Sequence, residues 1–156
     1  LLKDIKMIKA IIFDLDGVLV DTKQIHFEAL NVALKKYNFK QISIDDHVRI
    51  YDGLPTIEKL KLLEKKKILT KKYFKKINNF KQKITSTILK KRIKKDKKII
   101  KIMQNLHKHY KIAVATNAVK STLKICLDKL GITKYIDYKL SNEDIEKIDL
   151  LFQLCL

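Results

Sequence analysis

The sequence predicts an α/β fold with a parallel sheet, interrupted by a long helical insertion. Short apolar runs of strand character occur at 11–13 and 112–115, and a third strand is expected near 136–140. Between them lie segments whose apolar residues recur every three or four positions, the spacing of a helix face. The helical stretch joining the first two strands, about 22–95, is too long for a simple crossover connection, so it reads as an inserted cap. The expected domains are a discontinuous α/β core of 1–21 and 96–156 and a helical cap of 22–95.

The elements follow in order. The first strand spans roughly 8–14, and its continuous apolar run suits a strand covered on both faces. Thr22 is placed to cap a helix running to about Tyr37, whose apolar face holds Ile25, Leu30, Ala33 and Leu34. A short helix starts near Asp45, and Gly53 and Pro55 punctuate the chain before a helix over 56–65. Apolar residues at 73, 74, 77, 80, 84, 88 and 89 predict a long amphipathic helix across 70–95. Another helix covers 97–109, with Ile99, Ile100, Met103 and Leu106 on its apolar side. The pattern then shortens to a buried strand ending at Thr116, followed by a helix over 119–130 that Gly131 closes.

The chain has 156 residues, 46% of them apolar, enough for a real core. Two cysteines, Cys126 and Cys155, make no disulfide framework, and Cys126 falls on an apolar helical face as a core thiol. No segment approaches the ~20 apolar residues that span a membrane. Asp4, Asp14 and Asp16 interrupt the first twenty residues, unlike a signal-peptide core. The expected location is the cytoplasm. The formal charge of +18 is concentrated: 59–101 holds 18 Lys and Arg92 against Glu64 and Asp96, a net +17. Only two residues of the chain are arginine, the side chain favoured for bidentate phosphate and guanine recognition. Few aromatics interleave with the lysines to stack bases. Solvated helical faces in a lysine- and isoleucine-rich chain are therefore expected, without specific nucleic-acid binding. Contacts to DNA or RNA should be weak, sequence-independent and sensitive to salt.

The segment at 9–22, KAIIFDLDGVLVDT, carries the chemistry. Asp14 ends the apolar run, Asp16 follows two residues later, and Gly17 permits a sharp turn. A strand and an Asp-Gly turn need no function of their own. Two carboxylates at a strand end can also face one pocket, where their repulsion calls for a cation. Magnesium and a phosphorylated substrate suit that arrangement.

DLDGVLVDT resembles the first signature of the haloacid dehalogenase (HAD)-like hydrolases, in the branch of β-phosphoglucomutase and phosphoglycolate phosphatase. ATNA at 115–118 resembles the second signature, and LSNEDI at 140–145 the approach to the third. The resemblance implies a Rossmann-like core with a helical cap and an active site between them. It also implies an Mg2+-dependent phosphatase acting on a small phosphorylated metabolite. Asp14 would be the nucleophile, forming an aspartyl-phosphate, and Asp16 the acid and base. The Asp14 carboxylate and the Asp16 carbonyl would bind the metal. Thr116 and Asn117 would contact the phosphoryl group, and His26, twelve residues after Asp14, would adjoin the site. Where the mutases carry a phosphate-binding arginine, this chain has Thr56, which favours a simple phosphatase.

The match weakens after Ile145. The family's Lys-Pro pair aligns with Asp149 and Leu150, and Lys147 is the nearest cation. The fourth signature, an acidic pair completing the metal site, is missing, and the ending IDLLFQLCL is unlike the expected Pro-rich segment. The expectation is of a C-terminally incomplete family member that binds magnesium poorly and has little or no phosphatase activity of its own. Its alternatives are a catalytically defective binding module and, ranked lower, a basic nucleic-acid-binding protein.

Overall fold

The computed structural model describes residues 8–144. In chain order these form β1 (Ala10–Asp14), α1 (Lys23–Lys36), α2 (Ile44–Asp46), α3 (Thr56–Lys65), α4 (Phe74–Arg92), α5 (Lys97–Leu106), β2 (Lys111–Ala115), α6 (Lys120–Leu130) and β3 (Tyr138–Leu140). A π-helical turn, His47–Tyr51, extends α2, and a 3-10 turn, Lys71–Tyr73, leads into α4. The chain divides into two compact units, one from Asp21 to Arg92 and the other from the flanking segments. Among the described residues no helix is long and apolar enough to cross a membrane.

The flanking segments build a parallel sheet of order β1-β2-β3. Ala10 pairs with Lys111 and Asp14 with Ala115, while Ala113 and Ala115 pair with Tyr138 and Leu140. This register brings the C-terminal ends of the strands level, the edge at which open parallel sheets present ligand sites. The buried strand is β2, through Ile112, Ala113 and Val114. The expectation that β1 is covered on both faces is corrected. Among the described residues β1 is an edge strand, and Ile12 remains 41% exposed. A continuous apolar run records side-chain character, but not whether both faces of the strand are covered. Helix α6 buries Leu123, Cys126, Leu127 and Leu130, and it ends at Gly131, whose φ of +80° is the left-handed conformation glycine adopts without strain.

The helical unit packs around Leu30, Ala33, Leu34, Tyr51, Leu60, Leu63 and Ile77. Helix α1 contributes its predicted face, but Thr22 at its N-cap makes no side-chain capping bond. Ser43 does cap α2, accepting from the Asp46 N–H at 3.1 Å. Buried Asn31 grips the loop after α1, donating to the Ile42 carbonyl and accepting its N–H, both at 2.9 Å. The most buried stripe of α4 is Ile77, Lys81, Thr85 and Leu89, one turn apart. The predicted positions Phe80, Ile84 and Ile88 lie half-buried beside it.

A candidate active site at the ends of the parallel strands

Asp14 closes β1 and is exposed, with its Oδ1 accepting the Leu15 N–H at 2.7 Å. The chain then reverses: Gly17 takes φ +82° and donates its N–H to the Val20 carbonyl at 2.8 Å. The Leu15 carbonyl accepts from both Leu19 and Val20, and the Leu15 side chain is fully buried. An apolar anchor between two aspartates thus holds the turn in place. Asp16 is brought against the neighbouring strand end, where the Thr116 hydroxyl donates to its Oδ2 at 3.0 Å.

Thr116 follows β2 directly and is tied to β3 through its N–H, which reaches the Leu140 carbonyl at 3.0 Å. Its Oγ1 also accepts the Ala118 N–H at 3.0 Å, turning the chain toward α6. The hydroxyl assigned from the sequence to a phosphoryl oxygen is therefore engaged with Asp16 here. Asn117, next along, is exposed.

A third segment, after β3, completes this rim. Ser141 donates its hydroxyl to Asp144 Oδ2 at 2.7 Å, and the Asn142 N–H reaches the Ala118 carbonyl at 3.1 Å. Glu143 Oε1 accepts the Lys120 N–H at 2.9 Å, a negative group at the start of α6. In the sequence Glu143 and Asp144 stand only within the approach to the third signature. The spacing Ser141-x-x-Asp144 was the available signal for the local turn they make.

His26 is on α1 in the helical unit, its Nδ1 3.2 Å from the Nζ of buried Lys81. The sequence pattern did not mark Lys81 at all. Lys147 falls outside the described residues. Cys126 is buried below the rim, and burial together with the negative charge of Asp16 pushes its thiol up to about 12, which leaves it inert.

Asp14 and Asp16 supply hard oxygen donors. That set fits magnesium, which keeps several waters and takes few protein ligands. Among the described residues no three His, Cys, Asp or Glu side chains gather as a fuller cage.

Comparison with known proteins agrees with this architecture. A phosphorylated carbohydrates phosphatase of Thermotoga maritima is 29% identical over 146 residues, covering 88% of this chain and 63% of that protein. A Thermotoga maritima structure described as a candidate β-phosphoglucomutase superposes with a TM-score of 0.63 at 26% identity, covering 87% of this chain and 62% of the other. A Haemophilus somnus structure described as a predicted phosphoglycolate phosphatase gives 0.76 at 22% identity, with 95% and 70% covered. The chain thus spans less than two thirds of the length of the first two relatives. The family model for haloacid dehalogenase-like hydrolases matches residues 11–150, and the chain belongs to that family.

Proposed function

We propose that this chain carries the nucleophile and acid–base machinery of a magnesium-dependent phosphatase for small phosphorylated metabolites, with phosphorylated sugars as the preferred class. The observation that carries the reading is the placement of Asp14 at the end of β1, with Asp16 turned beside it and hydrogen-bonded to Thr116. The activity named for the Thermotoga relative supports the sugar-phosphate class. Thr56 in place of the mutases' arginine favours hydrolysis over phosphoryl return. The Asp21–Arg92 unit acts as the cap that selects substrate, and the protein works in the cytoplasm.

In this reading an Asp14 carboxylate oxygen attacks phosphorus, and the bond to the substrate's ester oxygen breaks as the new bond forms. Asp16, protonated, gives its proton to the departing alcohol. Asp16 then takes a proton from water as the water oxygen attacks the aspartyl-phosphate, releasing phosphate and restoring Asp14. Thr116 orients Asp16 through its hydroxyl, and Asn117 offers an amide to the phosphoryl oxygens. Magnesium, held by the Asp14 carboxylate and the Asp16 carbonyl, would offset charge on the transferring group.

The test is Asp14→Asn, which keeps shape but removes the anionic oxygen. Acid-quenched phosphate incorporation into the protein, and whatever turnover of p-nitrophenyl phosphate the chain supports with magnesium, should both fall at least ~100-fold. Unchanged labelling and turnover would overturn the assignment.

A further inference from the structure

Residues 65–92 contain eleven lysines, Arg92 and no carboxylate. The fold gathers many of these charges at one end of the helical unit. Lys65, Lys66 and Lys67 close α3, Lys71 and Lys72 sit in the 3-10 turn, and Lys75 and Lys76 open α4. Glu64, the nearest acid, accepts the Lys71 backbone N–H at 3.1 Å, tying the end of α3 to the start of α4. The end of α1 joins them through aromatic contacts: Tyr73 lies 6.0 Å from Tyr37 and 5.0 Å from Phe39 between ring centroids. Lysines 35, 36 and 40 therefore share this pole, and all ten of these lysines are exposed.

Among the described residues, none of the ten forms an ion pair with a carboxylate. Four of their ammonium groups lie over rings instead, such as Lys36 4.8 Å from the Phe80 centroid and Lys72 5.4 Å from that of Tyr73. Lysines at the ends of α1 and α3 complement the helix dipole, but those opening α4 oppose it. The pole thus accumulates cations where both mutual repulsion and the dipole disfavour them, which a bound polyanion would relieve.

We propose that this pole is a sequence-independent docking surface for the phosphodiester backbone of a nucleic acid. Lysine point charges position a backbone without reading bases. The rings are already packed beneath ammonium groups and inside the core cluster, so they steady the surface rather than stack bases. An anionic membrane fits less well, because such surfaces add protruding apolar side chains. Of the exposed large apolar side chains of this unit, Ile44, Val48, Ile50, Leu54 and Ile57 belong to the α2–α3 segment, and Val32 alone lies on α1 within a turn of Lys35 and Lys36.

The experiment uses the full chain and a fluorescent mixed-sequence RNA of about 20 nucleotides, with anisotropy followed against salt. One variant combines Lys71→Glu, Lys72→Glu, Lys75→Glu and Lys76→Glu. A control with the same charge change combines Lys94→Glu, Lys108→Glu, Lys129→Glu and Lys139→Glu, all exposed in the other unit. Circular dichroism melting confirms that both fold; acids opening α4 should help its helix. Affinity at ~50 mM salt should fall at least tenfold in the first variant only, and its log–log salt slope should shrink by about two. Equal losses in both variants would assign the effect to net charge and overturn the proposal. So would no RNA binding at that salt, or binding to phosphatidylserine vesicles without binding to RNA.

Discussion

Thr116 and His47 show how single side chains carry opposite kinds of constraint. Thr116 donates to Asp16 and accepts from Ala118, so one hydroxyl joins the acidic turn to the start of the next helical segment. Thr116→Val keeps the volume but removes both hydrogen bonds. Unfolding free energy from urea titration should fall by about 1–2 kcal/mol, with Thr116→Ser retaining most of it. His47 is fully buried on the π-helical turn, and neither ring nitrogen makes a well-formed hydrogen bond. Burial, reinforced by the charge of Lys59, holds its pKa below the ordinary value, although Asp52 at 3.9 Å pulls the other way. Lys23, paired with Asp52 at 2.7 Å, adds a further cation. The unfolded chain therefore takes up a proton near its usual value of ~6.5 while the folded chain does not. Stability should drop as pH falls from 7.5 through 6 toward the depressed folded value. His47→Phe should remove that part of the dependence, read as a smaller gap between urea midpoints at pH 7.5 and 5.5. An identical gap would mean that His47 is protonated in the fold.

At the scale of elements, what the sequence disclosed was what local chemistry decides. The end of α6 was legible because Gly131 needs a left-handed φ, and a strand end was legible at Thr116 because the apolar run stops there. Gly131→Ala should cost about 1–2 kcal/mol in chemical unfolding, since alanine would adopt φ +80° with its Cβ 3.1 Å from the Ile100 side chain. The grip of Asn31 on Ile42 was not legible, because its partner lies eleven residues away across a loop. Asn31→Ala leaves a buried N–H and carbonyl without partners and should cost about 2–4 kcal/mol, among the larger single losses in the helical unit. Periodicity also hid Lys81: a hydropathy pattern assigns lysine to the solvent side, whereas α4 turns it inward toward His26.

For the whole molecule, charge sets how stability responds to ions. Positive side chains outnumber acids 35 to 17, and ion pairs such as Lys61–Glu58 and Lys124–Asp128 are exposed and therefore weak. The bidentate Arg92–Glu28 pair, 2.6 and 2.9 Å, is better formed but still lies at the surface. Screening acts on both kinds of interaction, weakening the few attractions and the many repulsions together. With no acid between Glu64 and Asp96, repulsion within the helical unit is the larger of the two. The thermal midpoint should accordingly rise by several degrees between ~20 and ~300 mM sodium chloride, a range over which the screening length contracts from about 20 to about 6 Å. The charge-reversed variant with glutamates at 71, 72, 75 and 76 should show a smaller rise, because part of the repulsion has been removed beforehand. A midpoint that falls with salt in the unmodified chain would mean that its sparse ion pairs outweigh its excess of lysine.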